Sequence, residues 1–403
     1  MIERNIVMET SYNLNNKENS IPVYRDKNLQ IIFLITLMAV MGVASITPAF
    51  PRIARELAIS KQSVGLLIIF FTLPAVVLTP VLGVMADRYG RKNVLIPSLI
   101  LFGIAGGLCT LTRKFEVLLV LRFFQGAGAA SLGAINVTLI GDIFTGKRRT
   151  EAMGFNASVL SIATATYPFL GGLLASAGWY YPFVLPFFAV PVALIVLLKL
   201  RNPEPGGKQN LRQYLAAAFK AIKTRQVLTY FFASFGTFII LYGSYLTYFP
   251  FLLENLHDAS PLVIGLMMSV MSIATAITSS QLGKISRLFN EKNLLKISFI
   301  LYSLSLLTIP LLSDIWMLFI PLFIFGLAHG INIPCIQILL TGIAPIEYRA
   351  AFMSVNGMVL RLGQTLGPVL MGAAFVTGGL TYPFYAGVMV CIIIFSLLVV
   401  LVK

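Results

Sequence analysis

Twelve stretches of about twenty residues, apolar and almost free of charge, constrain this chain more than any other feature. Runs such as 31–50 and 64–82 contain no ionisable residue. A helix rises 1.5 Å per residue, so ~20 apolar residues cross the hydrocarbon of a bilayer. The stretches fall near 29–50, 62–84, 94–112, 116–140, 152–176, 180–200, 227–252, 262–283, 295–313, 316–342, 350–377 and 381–402. Backbone in lipid must satisfy its own hydrogen bonds, which leaves helices or closed barrels. The alternating pattern of a barrel strand is absent. The expected fold class is an all-α membrane protein with twelve transmembrane helices. Composition agrees: 58% of the residues are hydrophobic and 11% charged, where soluble domains carry about 25% charged.

The charges set an orientation. With both termini in the cytoplasm, the inside segments hold 23 Lys and Arg and the outside loops hold 5, namely Arg52, Arg55, Lys61, Arg113 and Lys114. That excess predicts a multi-pass protein of the cell membrane with cytoplasmic termini. It also accounts for the net charge of +15. Nucleic-acid binding is not expected, because the basic residues are spread over short loops rather than gathered on one face. The polar residues 1–28 lack the layout of a cleavable signal and read as a cytoplasmic tail. Cys109, Cys335 and Cys391 all lie in spans, so no disulfide framework is implied. Trp179 and Trp316 fall at outer ends of helices, where indoles favour the interface.

The chain repeats itself. At an offset of 200, Gly65 meets Gly265, Gly83 meets Gly283 and Gly126 meets Gly326. Arg149 meets Arg349, Met153 meets Met353, Asn156 meets Asn356, Pro168 meets Pro368 and Gly172 meets Gly372. Leucine matches arise by chance in so apolar a chain; matched Gly, Pro, Arg and Asn do not. The expected organisation is two parallel six-helix halves, 29–200 and 227–402, joined by a basic linker at 201–226. Transporters that rock around a central site use this layout. A weakly amphipathic helix around 211–223 is expected on the inner membrane face.

The loop after the second span reads Gly83-Val-Met-Ala-Asp87-Arg88-Tyr-Gly90-Arg91-Lys92. Along its full length it resembles the loop signature of the major facilitator superfamily of transporters. The resemblance implies a conformational latch made of Gly83, Asp87, Arg88, Gly90, Arg91 and Asp142. Gly83 would let the second helix approach a neighbour closely. Asp87 would face the start of the eleventh helix near Arg349, where the helix dipole favours an anion. Arg91 would pair with Asp142, and that latch would break when the protein opens inward. The second copy, Gly283-Lys-Ile-Ser-Arg287, lacks the acid. The bland alternative is that these charges only enforce topology.

Span 4 carries Leu-Arg122-Phe-Phe-Gln125-Gly126-Ala-Gly128 and resembles the fourth-helix motif of proton-coupled members. Arg122 is therefore one proton-coupling candidate, beside Asp142 and His329; the alternative for Arg122 is snorkelling to the outer surface near Glu116. Span 5 reads Ala165-Thr-Tyr167-Pro168-Phe-Leu-Gly171-Gly172. It resembles the fifth helix of drug–proton antiporters, except that Tyr167 replaces the glycine before the proline. Span 11 holds an intact Gly367-Pro368 and a Gly363/Gly367 pair. These residues bend helices between the halves or simply pack them.

Candidate cavity residues follow from depth. Arg361 lies about 17 Å into span 11, near mid-membrane, and an intramembrane arginine is a functional candidate by default. His329 and Asn332 reach similar depth in span 10. Tyr242, Tyr245, Tyr248 and Phe249 recur at helical spacing in span 7. The first two are candidates for lining a cavity, and the last two read equally well as anchors at the outer interface. Asn136, Asn156, Asn356 and Gln364 complete the set. Asp and Glu are confined to span ends, so no carboxylate opposes Arg361 at depth. There is no HExxH, GxSxG or P-loop; neither enzyme chemistry nor ATP drive is expected, and no cofactor or metal.

Together these features resemble the twelve-helix drug–proton antiporters. The implied activity is proton-coupled efflux of small amphiphiles, neutral or anionic, by a monomer in the lipid bilayer that exchanges its small-molecule substrate for protons. An uptake permease for a small metabolite and, in another class, a channel or non-transporting sensor stay open at this point.

Overall fold

The computed structural model describes residues 22–200, 224–345 and 349–402. The N-terminal tail before residue 22, most of the linker and its expected surface helix lie outside the described residues. Twelve helices are long and apolar enough to cross a membrane. They are α1 Lys27–Glu56, α2 Lys61–Tyr89, α3 Arg91–Leu108, α4 Phe115–Ile143, α5 Gly146–Ala177 and α6 Tyr181–Lys199 in the first half. The second half holds α7 Arg225–His257, α8 Pro261–Ile285, α9 Glu291–Leu311, α10 Trp316–Ile343, α11 Arg349–Gly378 and α12 Tyr382–Leu401. No strand occurs among the described residues. Several helices begin outside their apolar runs, α5 six residues early and α9 four. Hydropathy marks the lipid slab, whereas capped polar turns extend the helix into the interface. Asp26, Thr224, Ser260 and Asn290 each accept from a backbone N–H of the first turn of α1, α7, α8 and α9.

An even number of spans puts both ends of the chain on one side, the termini side; the loops at 57–60 and 258–260 are on the far side. Each half builds its own apolar core. Residues from Val23 to Leu200 form one, and residues from Val227 to Val402 the other, with Phe251 of α7 inserted into the first. Tyr242, Leu246 and Leu380 pack against both.

Within a half, small residues set the approach. A Cβ on Gly126 would collide with the Phe71 carbonyl of α2, and one on Gly326 with the Met271 carbonyl of α8. These two contacts are the same contact 200 residues apart.

Between the halves, α5 packs on α8 and α2 on α11. At the first crossing a Cβ on Gly172 would overlap the Pro261 carbonyl, and one on Gly265 the Pro168 carbonyl. At the second, a Cβ on Gly65 would lie 3.3 Å from Pro368, and one on Gly372 3.3 Å from Gln62. The matched Gly and Pro of the repeat thus gather in two related seams, both toward the far side. Polar contacts joining the halves sit there or at mid-membrane: Thr47 Oγ1 to Met268 Sδ at 3.8 Å, Arg55 Nη1 to Glu254 Oε1 at 2.7 Å, and Thr365 Oγ1 to Thr72 Oγ1 at 2.9 Å. Toward the termini side the same four helices part. A Cβ on Gly83, Gly154, Gly283 or Gly357 would meet nothing within 4 Å. Gly83, expected to sit tightly against a neighbour, is therefore open in this conformer. Among the described residues, the halves are closed on the far side and stand apart on the termini side.

One local feature escaped the sequence. Residues Ile240–Tyr248 of α7 form a π-helix. The Thr247 hydroxyl donates 2.6 Å to the Tyr242 carbonyl, five residues back. Pro250, which lacks an N–H, follows immediately, and Gly243 lets the widened turn lie against the Gly367 backbone of α11.

The seams predict a paired result. Gly265→Ala should lower the stability of the detergent-purified protein by about 1–3 kcal/mol, the usual cost of overpacking. Gly283→Ala, its counterpart toward the termini side, should leave thermal unfolding unchanged.

Candidate functional site

The latch residues come together at the termini-side ends of α2, α3 and α4. Only Gly90 separates α2 from α3, and its φ of +94° is a conformation that L side chains rarely adopt. The sharp turn puts Arg91 at the start of α3 beside two carboxylates. Its Nη1 donates to Asp87 Oδ1 and its Nε donates 3.0 Å to Asp142 Oδ2. The Arg91 side chain is 15% exposed, Asp142 34% and Asp87 63%. Arg88 turns away and stacks on Tyr89. Asp87 pairs with Arg91 one turn on and is largely exposed. The Arg91–Asp142 pair is intact although the termini side is open. Both residues belong to the first half, so parting the halves does not pull them apart.

Arg122 does not snorkel. It is fully buried between α2, α3 and α4. Its Nε donates 3.1 Å to the Leu67 carbonyl, its Nη1 donates 2.7 Å to Gln125 Oε1, and its guanidinium lies 4.2 Å from the Phe71 ring centroid. No carboxylate pairs with it. The site braces the first turns of α2 against α4.

The amide residues of the first half form a chain across three helices. Asn136 of α4 donates to the Thr36 hydroxyl of α1, which donates to Asn156 Oδ1 of α5. Tyr167, the departure from the antiporter pattern, reaches the Leu37 carbonyl of α1 at 3.0 Å. In the second half Thr237 of α7 donates 2.9 Å to Asn332 Oδ1, and Asn332 Nδ2 donates 2.9 Å to Ser298 of α9. Both networks are buried.

Several residues placed in a cavity by depth alone lie instead inside the second-half bundle. Asn332 is fully buried among α7, α9 and α10. Tyr245 stacks between Phe249 and Phe325 and donates 3.1 Å to the Met268 carbonyl. Tyr248 stacks on Phe375, so neither Tyr248 nor Phe249 anchors at an interface. His329 is partly buried, its Nδ1 2.6 Å from the Tyr302 hydroxyl of α9. Trp179 is buried beneath Arg113 rather than at the interface, whereas Trp316 is 70% exposed. Hydropathy gives depth; it does not give the direction in which a side chain points.

What remains between the halves is a small polar group in an aromatic setting. Arg361 of α11 is half-buried and donates 3.0 Å from Nη1 to Gln364 Oε1. Tyr242 of α7 is its electrostatic neighbour and packs on Phe238 with ring centroids 6.1 Å apart. One turn along α11, Thr365 meets Thr72 of the other half. Asn356 is buried with its Oδ1 unpartnered. Arg361 takes no part in an ion pair. Thr72, Thr365 and Phe238 gave no sequence signal, since a lone Thr or Phe in an apolar run is unremarked.

The sequence profile of the Major Facilitator Superfamily matches residues 32–259 and 245–403. "Multidrug resistance protein 1" of Bacillus subtilis (strain 168) is 28% identical over 366 residues, 89% of this chain and 92% of that protein. The "Bacillibactin exporter" of the same organism is 25% identical over 362 residues, 86% of this chain and 89% of that protein. Among solved structures, a bacterial homologue of the human lysosomal transporter Spinster, inward-facing and occupied, superposes with a TM-score of 0.79 at 19% identity. It covers 94% of this chain and 97% of its own.

Proposed function

The chain belongs to the Major Facilitator Superfamily and is a multi-pass membrane transporter, and on that footing we propose that it exports small amphiphilic compounds, neutral or anionic, in exchange for protons. One observation carries the reading: among the described residues the halves are closed on the far side and apart on the termini side, and Arg361, which pairs with no described carboxylate, lies between them. With the termini in the cytoplasm, as the basic loops require, this conformer would load from the cytoplasm. A cation beside Arg361 would be repelled in a low-dielectric site, while a carboxylate or polarised carbonyl would be drawn to it and to Gln364. Tyr242 and Phe238 offer flat apolar surface. The multidrug resistance protein and the bacillibactin exporter among the relatives support export over uptake.

Proton drive rests on the absence of an ATP-binding motif and on the proton-coupled resemblance of α4. Of the three coupling candidates, Asp142 is held by Arg91 and Arg122 has no acid beside it. His329 of α10 is hydrogen-bonded to Tyr302 of α9 and is the remaining candidate. Asp87 is the more exposed carboxylate of the latch, and in the proposed cycle closing the termini side brings it toward α11.

Three outcomes are expected. In inverted vesicles, collapsing the pH gradient with an uncoupler should stop uphill accumulation of an exported dye; accumulation that follows ATP or sodium instead overturns proton exchange. Asp87→Asn should abolish transport while substrate affinity, measured by tryptophan quenching or calorimetry, stays within about threefold, because the residue acts on cycling. Arg361→Ala should cut export of a lipophilic carboxylate at least tenfold and spare a lipophilic cation, since 1.4 kcal/mol of lost attraction is a factor of ten. Strong export of cations by the unaltered protein would sink the charge preference.

A further inference from the structure

We propose that Arg55 and Glu254 form the lock of the far-side gate, an ion pair between the two halves that holds the transporter in the conformer described here. Arg55 sits near the far-side end of α1 and Glu254 near the corresponding end of α7, and their 2.7 Å contact crosses from one half to the other. The other ion pairs, Arg52–Glu56, Arg91–Asp87 and Arg91–Asp142, each stay within the first half. Of these four pairs among the described residues, the Arg55 pair is the one that rocking of the halves makes and breaks.

The surroundings show a built closure. One turn before Glu254, Phe251 is 1% exposed and seated in the core of the opposite half. Lys61 at the start of α2 lies 5.9 Å from the centroid of that ring, so a cation of the first half also meets an aromatic of the second. Arg52, one turn from Arg55, donates 2.7 and 2.8 Å to the Ala175 and Ser176 carbonyls at the end of α5, which fixes the α1 end in place. The α1 tip is thus rigid within its half, and the α7 end docks on it through Phe251 and Glu254. Opening the far side requires Phe251 to leave its socket and the ion pair to separate.

The pair also lies outside the internal repeat. At the repeat's offset of 200, Glu254 corresponds to Ala54 and Arg55 to Asn255, so each half supplies one member of the pair. A single bridge therefore acts on one side of the membrane. The termini side closes by different means, and the two conformers need not be equally populated. Arg55 is 66% exposed and Glu254 26%, so the pair biases the equilibrium modestly.

The test needs no substrate and is independent of transport direction. Leu111 and Leu311 are exposed far-side positions one repeat apart in opposite halves. Cysteines at these two positions accept spin labels, and the native Cys109, Cys335 and Cys391 are buried. Pulsed electron resonance on the full chain in lipid then reads the distance across the far-side mouth. Arg55→Gln and Glu254→Gln should each raise the long-distance population about two- to fivefold, the range of a partly exposed pair. The swap Arg55→Glu with Glu254→Arg should return it to the unaltered value. Salt at 1 M should mimic the single variants. Unchanged distances in both single variants, or a folded swap variant that stays as open as the singles, would overturn the lock.

Discussion

Backbone-to-backbone contact between the halves is the constraint on which the rest of this structure depends. In lipid, apolar side chains gain little by leaving one apolar neighbour for another, so helices are held by close packing and buried polar contacts. At the α5–α8 crossing, Gly172 and Gly265 remove the side chains that would hold two backbones apart. Gly65 and Pro368 do the same where α2 meets α11. The two crossings are related by the internal repeat, so they form a pair of pivots on either side of the central gap. Everything toward the termini side can then separate while the far side stays packed.

Charge is distributed to suit that motion. Arg122 and Arg361 are charges within the spans, and among the described residues their partners are carbonyl oxygens, amide oxygens or aromatic faces rather than carboxylates. Arg122 is fully enclosed and joins α2 to α4 within one half, so it keeps a pivot helix straight on its neighbour. Arg361 is only half-buried and lies where the halves meet, beside Tyr242. The same residue type is thus a brace in one setting and a recognition group in the other.

The fold was legible in the sequence because hydropathy, loop charge and internal matching all report on position along the membrane normal. The matched glycines and prolines were legible for a further reason: they mark contacts that tolerate no side chain. Azimuth was not legible. Tyr242 and Tyr245 are three residues apart in α7, yet one faces the gap and the other the bundle core, and the π-helix between them shifts the register on which a helical-wheel argument relies. Asn332 and His329 have the right depth and point to α9.

Because the pivots consist of glycine, proline and main-chain carbonyls, their geometry does not depend on which side chains line the gap between them. Substitutions at Tyr242, Phe238, Arg361 or Gln364 alter what the cavity recognises without touching Gly65, Gly172, Gly265 or Pro368. Moving parts and recognising parts are therefore separate in this chain. Such a separation lets a transporter acquire a new range of cargo by a few changes in its lining while the machinery that exposes the cargo to each side is inherited unchanged.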